Sequence, residues 1–543
     1  MADSDAGIGG RKKRKLHCND VDTDSCLITK VSPLPTGLPL RESLKNFIQG
    51  EKQMVISKEI SASSDGAQWQ SIDWKSVEAH VLKLQMRIAK ATREKKYGKV
   101  NSLQWLLTHS RSAKLLAVRR VSQNKGSKTP GIDGVIWNTD ARRMKAVNQL
   151  SRKTYKAKPL KRIYIPKKNG KLRPLGIPCM VDRAHQALHL LALEPVSETL
   201  ADPNSYGFRS NRSTADAVSQ CFKCLALKKS AKWILEGDIK ACFDKIGHQW
   251  LLDNIAVDKR MLKQWLRSGF MDKGLFYDTD EGTPQGGIIS PTLMLMTLSG
   301  LEQCIKSTAL KKSARANFIG YADDFVVTCS SKEVLVNDIK PLIADFLAER
   351  GLTLSVEKTK LTHIDDGFDF LGFNHRKYKG KLLIKPSKSN TLLFLRNLRE
   401  LIKKHATIPV NDLIKLINPK LRGWANYYRH CVAKQIFGYV GHNLFQALWH
   451  WAVRRHPTKS KDWVVHKYFL NRKGQWQFHG WQKVMNMDCL FNLFQIAKVP
   501  IERHVKIKSA ATPFDPQYQE YLAKRKSKKQ CRNSWHEPAL AAL

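Results

Sequence analysis

Two acidic sites in the sequence lie where apolar strands are predicted to end, and together they could support nucleotidyl transfer. In residues 319–327, β-forming apolar residues flank Asp323 and Asp324, which predicts a β-hairpin with two carboxylates at its tip. A second apolar run, 233–238, delivers Asp238 at its end. Nucleotidyl transfer uses two divalent metal ions about 3.5–4 Å apart, held by carboxylates on a rigid base. Burying these carboxylates without a cation would be costly, so the two sites together predict a two-metal centre.

Further blocks accompany these sites in a fixed order along the chain. They are residues 165–178, 205–209, 282–291, 352–360, 368–373 and 421–428. Asp238 together with Tyr321-Ala322-Asp323-Asp324 resembles motifs A and C of reverse transcriptases, and residues 421–428 are similar to the maturase, or X, domain of group II intron proteins. From about residue 75 to about residue 525 the chain therefore resembles the group II intron-encoded reverse transcriptases and maturases.

The resemblance implies a role for each residue of the metal centre. Asp238 and Asp323 would bind both of two Mg²⁺ ions, and Asp324 would contribute less directly. The backbone carbonyl of Ile239 would complete one coordination shell. Mg²⁺ suits these ligands because it prefers hard oxygen donors.

The resemblance also implies side chains that contact the incoming nucleotide. They are Lys167, Arg173, Phe243 and Gln285. The ring of Phe243 would act as a steric gate that leaves no room for a 2′-hydroxyl and so favours dNTPs over NTPs. Lys167 and Arg173 would meet the triphosphate. Either Lys358 or Lys360 would protonate the pyrophosphate leaving group, and the sequence does not choose between them.

Two further groups follow from the same resemblance. The primer grip would be Phe370, Leu371 and Gly372. The candidates for reading unpaired bases of intron RNA are Arg422, Tyr428 and Arg429. The alternative for the second group is that this stretch belongs to the core of the thumb, where its arginines pair locally.

Charge indicates the class of partner. The 543 residues include 93 Lys and Arg against 47 Asp and Glu, a formal net charge of +46. Such a charge would repel itself in a compact fold unless a polyanion neutralised it, which favours nucleic acid as a partner over a merely basic protein. The excess is concentrated in 376–480, where 22 cationic residues face three acidic ones. With the resemblance, it predicts group II intron RNA, an RNA template with its primer, target DNA and dNTPs as partners.

The eleven cysteines are scattered and odd in number, which predicts free thiols and a reducing compartment, namely a bacterial cytoplasm or nucleoid, or an organelle. Cys221 and Cys224 form one CxxC, but no second pair at zinc spacing accompanies them. The C-terminal Cys531, His504 and His536 cannot assemble the H-N-H endonuclease site that many group II proteins carry. No apolar run approaches the roughly 18 residues that span a bilayer, so no membrane partner is predicted.

The elements that must position these residues alternate as in an α+β protein. A helix is predicted from Trp74 onward and a second over 103–121, and helix and strand then alternate to about residue 375. With the resemblance, this predicts a right-hand polymerase whose fingers and palm occupy 73–375, followed by an α-helical thumb and maturase X domain at 376–480. The predicted flanks are a mobile N-terminal extension, 1–72, and a basic DNA-binding region with a tail, 481–543.

Two other functions compete with this interpretation. One is an RNA-binding splicing factor whose polymerase site is vestigial, and the other is an RNA-dependent RNA polymerase. Leu295 is compatible with a vestigial polymerase site, because the family commonly has Asn at that position. The intact acidic residues argue against a vestigial site. Phe243 argues against the second.

Overall fold

The computed structural model describes residues 65–166, 170, 172–472, 474–484 and 487–534, which form helices and mainly antiparallel sheets. The helices are α1 (Asp65–Gln70), α2 (Trp74–Arg93), α3 (Tyr97–His109), α4 (Arg111–Ser122), α5 (Asp140–Gln149), α6 (Met180–Leu200), α7 (Thr214–Leu225), α8 (Cys242–Lys245), α9 (His248–Asn254), α10 (Lys259–Leu266), α11 (Ser290–Leu298), α12 (Leu301–Lys311), α13 (Lys332–Val334), α14 (Lys340–Ala348), α15 (Lys388–Lys404), α16 (Val410–Tyr428), α17 (Lys434–Arg455), α18 (Lys461–Tyr468) and α19 (Gln519–Ser534). A π-helical turn, Leu335–Ile339, joins α13 to α14, and 3₁₀ turns cover Ile496–Lys498 and Pro516–Tyr518.

The strands form four sheets. They are β1 (Leu160–Pro166), β2 (Leu172–Ile177), β3 (Trp233–Asp238), β4 (Phe270–Asp272), β5 (Leu275–Tyr277), β6 (Ala316–Tyr321), β7 (Asp324–Cys329), β8 (Lys360–His363), β9 (Phe368–Phe370), β10 (Phe373–Tyr378), β11 (Lys381–Pro386), β12 (Phe469–Arg472), β13 (Gln475–Val484) and β14 (Met487–Asn492). Their orders are β2-β1-β4-β5, β6-β7-β3-β8, β11-β10-β9 and β12-β13-β14. The α+β class predicted from the sequence is confirmed.

The central sheet, β6-β7-β3-β8, is antiparallel throughout and lies between two hydrophobic cores. Successive side chains of a strand point to opposite faces. Leu235 and Val327 accordingly pack into a core with the helices of the N-terminal half. Ile234 and Val326 pack into a second core, built mainly from residues after 364. The strands that carry the acidic residues are buried on both faces and form a rigid base for them.

The N-terminal region corrects two predictions. The helix predicted over 103–121 is two helices, because Ser110 is extended, ends α3 and caps α4 by accepting a hydrogen bond from the N–H of Ala113. The predicted mobile extension, 1–72, is wrong for its last residues: α1 buries Trp69, whose ring packs edge-on against Trp74 at 5.0 Å. The part of that extension before residue 65 lies outside the described residues.

The C-terminal half is helical from α15 to α18, as predicted, but strands flank these helices on both sides. The predicted boundary at 375/376 falls inside β10, which pairs with β9 and β11. The predicted boundary at 480/481 falls inside β13, which pairs with β12 and β14. Each predicted boundary therefore lies within a strand pairing rather than in a loop. The polar and basic residues of β10 and β13 hide the alternation that marks a strand.

The end of the described chain returns to α7. Asp216, in the first turn of α7, is fully buried and accepts hydrogen bonds from His504 Nε2 (2.9 Å), the Ile507 N–H (2.8 Å) and Arg525 Nη2 (2.9 Å). Burial raises the pKa of this carboxyl, but the hydrogen bonds from His504 and Ile507 outweigh it and lower the pKa to about 2. The C-terminal segment is thus fixed to the region before the central sheet by a buried, ionised carboxylate.

Candidate active site

Three acidic residues converge at one end of the central sheet. Asp238 ends β3 and lies directly opposite Asp324, the first residue of β7. Ala322 and Asp323 form the two-residue turn between β6 and β7, and Ala322 has a φ of 59°. An L-residue rarely adopts this left-handed conformation outside tight turns, so surrounding contacts must hold it. The hairpin with an acidic tip and the strand that ends in Asp are both confirmed.

The segment 204–207 supplies those contacts. The N–H of Tyr206 donates to the carbonyl of Gly320 (2.9 Å), and the N–H of Gly320 donates to the carbonyl of Asn204 (3.0 Å). Gly207 packs so closely on the turn that a Cβ built on it would lie 2.1 Å from the backbone nitrogen of Ala322. Only glycine fits there, which explains the glycine in the block 205–209.

Lys358 is the cation of this cluster. Its Nζ donates to Oδ2 of Asp238 at 2.8 Å, and that hydrogen bond raises the pKa of the lysine. Lys360, the other candidate, lies on β8 opposite Glu236, two residues before Asp238. The structure therefore separates two lysines that the sequence could not distinguish.

The carboxylates repel one another. Although Asp324 as a residue reaches solvent, its carboxyl lies among the other acidic groups. Burial of that carboxyl and the negative charges of Asp323 and Asp238 raise its pKa to about 6. Cys242 lies behind the cluster, where burial, followed by the charges of Asp323 and Asp238, raises the pKa of its thiol to about 12. A cation at the cluster would relieve the repulsion.

The donor set fits a hard divalent cation, although the carboxylates are not pre-arranged around one. Within the described part of the chain, no group of three or more His, Cys, Asp or Glu side chains already has the geometry of a metal site, and Lys358 occupies Oδ2 of Asp238. Three crowded carboxylates are nevertheless the ligands that Mg²⁺ prefers. The backbone bridge of Ile239 to Leu354 uses the carbonyl of Asp238 and the N–H of Lys240, which leaves the Ile239 carbonyl out of those hydrogen bonds.

The predicted nucleotide-contacting residues lie on segments that meet beside the carboxylates. Phe243 is in α8, just after β3, and Gln285 donates to both carboxylate oxygens of Asp244 in the same helix (3.0 and 2.9 Å). Arg173 is exposed on β2, which reaches Gln285 because the N–H of Gly176 donates to the Gln285 carbonyl (2.8 Å). Lys167 lies outside the described residues.

Leu295 departs from the Asn that the family commonly has at this position. It is buried in α11, with 6% of its surface exposed. An Asn amide there would need a buried partner, whereas leucine needs none.

The predicted primer-grip residues form a tight turn of the sheet β11-β10-β9. Phe370 ends β9, and Leu371 and Gly372 connect it to β10 with φ angles of 52° and 79°. Two consecutive left-handed residues are typical of a type I′ hairpin turn. The Tyr427 hydroxyl donates to the Leu371 carbonyl (2.9 Å), and the Tyr428 hydroxyl donates to the Gly372 carbonyl (3.1 Å).

The predicted base-reading role of Tyr428 is wrong, because its side chain is only 3% exposed and cannot stack on a base. Arg429 is also mostly buried and forms an ion pair with Glu502. Arg422 is partly buried with its guanidinium over the ring of Phe494 at 5.6 Å. The alternative, in which this stretch belongs to a core and its arginines pair locally, describes these contacts better. Trp424 and Tyr428, four residues apart, pack toward the core on one face of α16.

Sequence reasoning missed several residues of the site. Phe208 packs edge-on against Phe243 at 6.0 Å, and it has a positive φ of 58°. Asp244 orients Gln285, and Tyr427 holds the Leu371 carbonyl. The motif blocks contain Phe208 and Tyr427, but no periodicity assigns their partners. The CxxC pair, Cys221 and Cys224, lies in α7 as free thiols.

Comparison with known proteins identifies the family. Residues 165–375 match the model "Reverse transcriptase (RNA-dependent DNA polymerase)", residues 69–150 match "N-terminal domain of reverse transcriptase", and residues 392–469 match "Group II intron, maturase-specific domain". The chain is 34% identical over 301 residues to Protein YkfC of Escherichia coli (strain K12), which covers 47% of this chain and 78% of that protein. It is 27% identical over 409 residues to the Group II intron-encoded protein LtrA of Lactococcus lactis subsp. cremoris, which covers 58% and 68% respectively.

Among solved structures, a telomerase from Candida albicans matches 60% of this chain and 66% of its own at 12% identity, with a TM-score of 0.33. The chain belongs to the group II intron-encoded reverse transcriptases and maturases. It is an RNA-directed DNA polymerase of fingers-and-palm fold with a maturase domain that serves group II intron splicing. No helix in the described ranges is long and apolar enough to cross a membrane.

Proposed function

We propose that this chain copies RNA, including group II intron RNA, into cDNA from a primer 3′-hydroxyl with dNTPs, at a centre of two Mg²⁺ ions. Asp238 and Asp323 would hold both ions, with Asp324 and the Ile239 carbonyl as further ligands. The observation that carries the proposal is the convergence of three carboxylates at one end of a doubly buried sheet. Mg²⁺ bound there would polarise the phosphoryl oxygens and activate the primer hydroxyl.

The remaining residues of the site orient the substrates. Lys358 is the better candidate for the acid that protonates pyrophosphate, because its ammonium already lies 2.8 Å from Asp238, whereas Lys360 lies beside Glu236. The ring of Phe243, which packs against Phe208, would contact the sugar of the nucleotide and exclude a 2′-hydroxyl. Gln285, oriented by Asp244, would face the incoming nucleotide, and Arg173 and Lys167 would meet its phosphates.

The domains and partners belong to the same proposal. We assign the fingers and palm to residues 73–375 and the thumb and maturase domain to residues 376–480; the matches at 165–375 and 392–469 support this division. Residues after β14 would contact target DNA, since α19 is rich in Lys and Arg. Intron RNA would bind the basic surface of the maturase domain. The cysteines described are free thiols, which suits a reducing compartment such as a bacterial cytoplasm or an organelle.

Primer extension on an RNA template tests the polymerase. Asp323→Ala should lower the rate of cDNA synthesis by several orders of magnitude, because one missing carboxylate disorders both metal sites. Asp345→Asn, an exposed carboxyl on α14, is the matched control and should keep the parental rate. An Asp323→Ala rate within tenfold of the parent would refute the proposed centre.

A splicing assay run beside it separates this function from a vestigial polymerase. Asp323→Ala should still bind and splice the intron, because the basic residues of 376–480 are unchanged. If the parent protein splices but makes no cDNA with Mg²⁺, the polymerase half of the proposal fails. Replacing Phe243 with Ala should relax the preference for dNTPs, and an unchanged preference would remove Phe243 as the gate.

A further inference from the structure

The turn at Leu371 and Gly372 is held by two tyrosines from a distant part of the chain. Tyr427 and Tyr428, the last residues of α16, donate their hydroxyls to the Leu371 carbonyl (2.9 Å) and the Gly372 carbonyl (3.1 Å). These two hydroxyls hold the end of the hairpin. The two tyrosines and the turn are here called the tyrosine clamp.

The clamp leaves the turn no free space. A Cβ built on Gly372 would lie 2.4 Å from Nδ2 of Asn390 and 3.0 Å from the hydroxyl oxygen of Tyr428. The ring of Phe373 stacks on Tyr427 at 5.3 Å and meets Tyr428 edge-on at 4.9 Å. The N–H of Ser387 also donates to the Gly372 carbonyl at 2.9 Å. Both the carbonyls and the ring beside the turn are therefore fixed.

The clamp also shares a hydrophobic core with the catalytic hairpin. Phe373 and Tyr428 are buried in the same core as Ile319 of β6, and Leu371 and Tyr321 pack against that core. Tyr321 lies two positions before Asp323. The turn and β6, the strand that leads to the acidic tip, are thus held by one core.

We propose that Tyr427 and Tyr428 are positioning residues for the primer 3′ end in DNA synthesis. They hold the Leu371–Gly372 turn at a fixed place relative to Asp323. The turn then holds the terminal nucleotide of the primer. This inference rests on the proposed primer-grip role of the turn. It gives residues of the maturase motif a function in polymerisation that does not require contact with RNA.

Removal of the two hydroxyls tests the proposal without removing the rings. Tyr427→Phe and Tyr428→Phe keep the packing on Phe373, and Tyr439→Phe, an exposed tyrosine of α17, is the matched control. The measurements are the rate of single-nucleotide incorporation at saturating substrate, the Kd of the primer–template duplex, and the melting temperature. A neutral hydrogen bond contributes about fivefold, so each variant should lower the incorporation rate about fivefold and the double variant about 25-fold.

A positioning role predicts a specific split between these measurements. The Kd of the duplex should stay within about twofold of the parent, because many phosphate contacts hold the duplex, whereas the rate depends on the placement of one hydroxyl. A purely structural role would lower the melting temperature and weaken duplex binding together. An incorporation rate of the double variant equal to that of Tyr439→Phe would overturn the inference.

A crosslinking experiment distinguishes failure of the clamp from failure of the primer grip. A primer ending in 4-thiothymidine should crosslink to the peptide that contains residues 368–373 in the parent protein. If it crosslinks there and the tyrosine variants incorporate normally, the clamp alone is refuted. If the active parent crosslinks elsewhere, the primer grip is refuted and the inference with it. Should the double variant not fold, Gly372→Ala displaces the turn by crowding Asn390 and the Tyr428 hydroxyl, and it should show the same loss of rate.

Discussion

Gly207→Ala is expected to impair catalysis through the backbone of the acidic turn, without touching substrate or metal. The added Cβ would lie 2.1 Å from the nitrogen of Ala322, where ordinary van der Waals contact begins at 3.4 Å. The three obstructing atoms belong to the backbone of Tyr321 and Ala322, so no flexible side chain can move aside. The turn would have to move by about 1 Å, and a misplacement of that size costs about a hundredfold in rate. Asp323 follows Ala322 directly and would move with it.

The assay is single-nucleotide incorporation on a primed RNA template, with the melting temperature measured beside it. Gly438→Ala is the matched control, since a Cβ at Gly438 has no atom within 4 Å and alanine favours the helix α17. We expect Gly207→Ala to fold, to bind primer–template normally and to incorporate about a hundredfold more slowly than Gly438→Ala. Equal incorporation rates for the two variants would show that the turn tolerates the displacement and that its position is not what limits the rate.

Three further predictions follow from the electrostatics. Lys358→Ala should lower the incorporation rate about a hundredfold and Lys360→Ala less than about fivefold, since only Lys358 reaches the carboxylates; the reverse order in a rapid-quench assay would refute the assignment. Asp216→Asn should lower the free energy of unfolding, measured in urea at pH 7, by about 3 kcal/mol, because the carboxylate is fully buried between His504 and Arg525. The pKa of Asp216 is about 2, below the ordinary 3.8, so this stabilisation is present above pH 4 and is lost as the pH falls toward 2. A variant whose stability falls with acid in the same way as that of the parent would contradict this prediction. His375 is fully buried and burial lowers its pKa to about 3, so below pH 6.5 the unfolded chain takes up a proton that the folded chain excludes. His375→Phe should therefore reduce the loss of stability between pH 6.5 and 4 by up to about 1.4 kcal/mol per pH unit. Parallel curves of stability against pH for variant and parent would refute this prediction.

The catalytic strands could be predicted because their signal is local. Residues 233–238 and 319–327 are apolar runs buried on both faces, and the acidic residues interrupt them where the strands end. A hairpin with a two-residue loop also fixes its own register, so Asp323 and Asp324 had to lie at its tip. The placement of Asp238 beside Asp324 was less accessible, since it depends on the pairing of β3 with β7.

The contacts that the sequence could not predict are long-range. Lys358 and Lys360 are only two residues apart in the sequence. The pairing of β8 with β3 is what shows that Lys360 lies opposite Glu236. Tyr428 was assigned to RNA because an aromatic residue among basic ones looks the same in sequence whether it faces solvent or a core. Its ring is buried because it packs against Trp424 and against Phe373, which is far away in sequence.

The central sheet explains why polymerase and maturase regions need not be independent parts. One face of β3 and β7 is covered by the helices of the N-terminal half, and the other by a core that includes Phe370, Leu421 and Ala425 from the hairpin sheet and the maturase motif. A change in the maturase core therefore acts on the same strands that carry Asp238 and Asp324. Asp216 reinforces this connection because it binds the C-terminal segment to α7, and Tyr427 does so because it joins α16 to the Leu371 carbonyl. The maturase half thus contributes to the rigid base that nucleotidyl transfer needs.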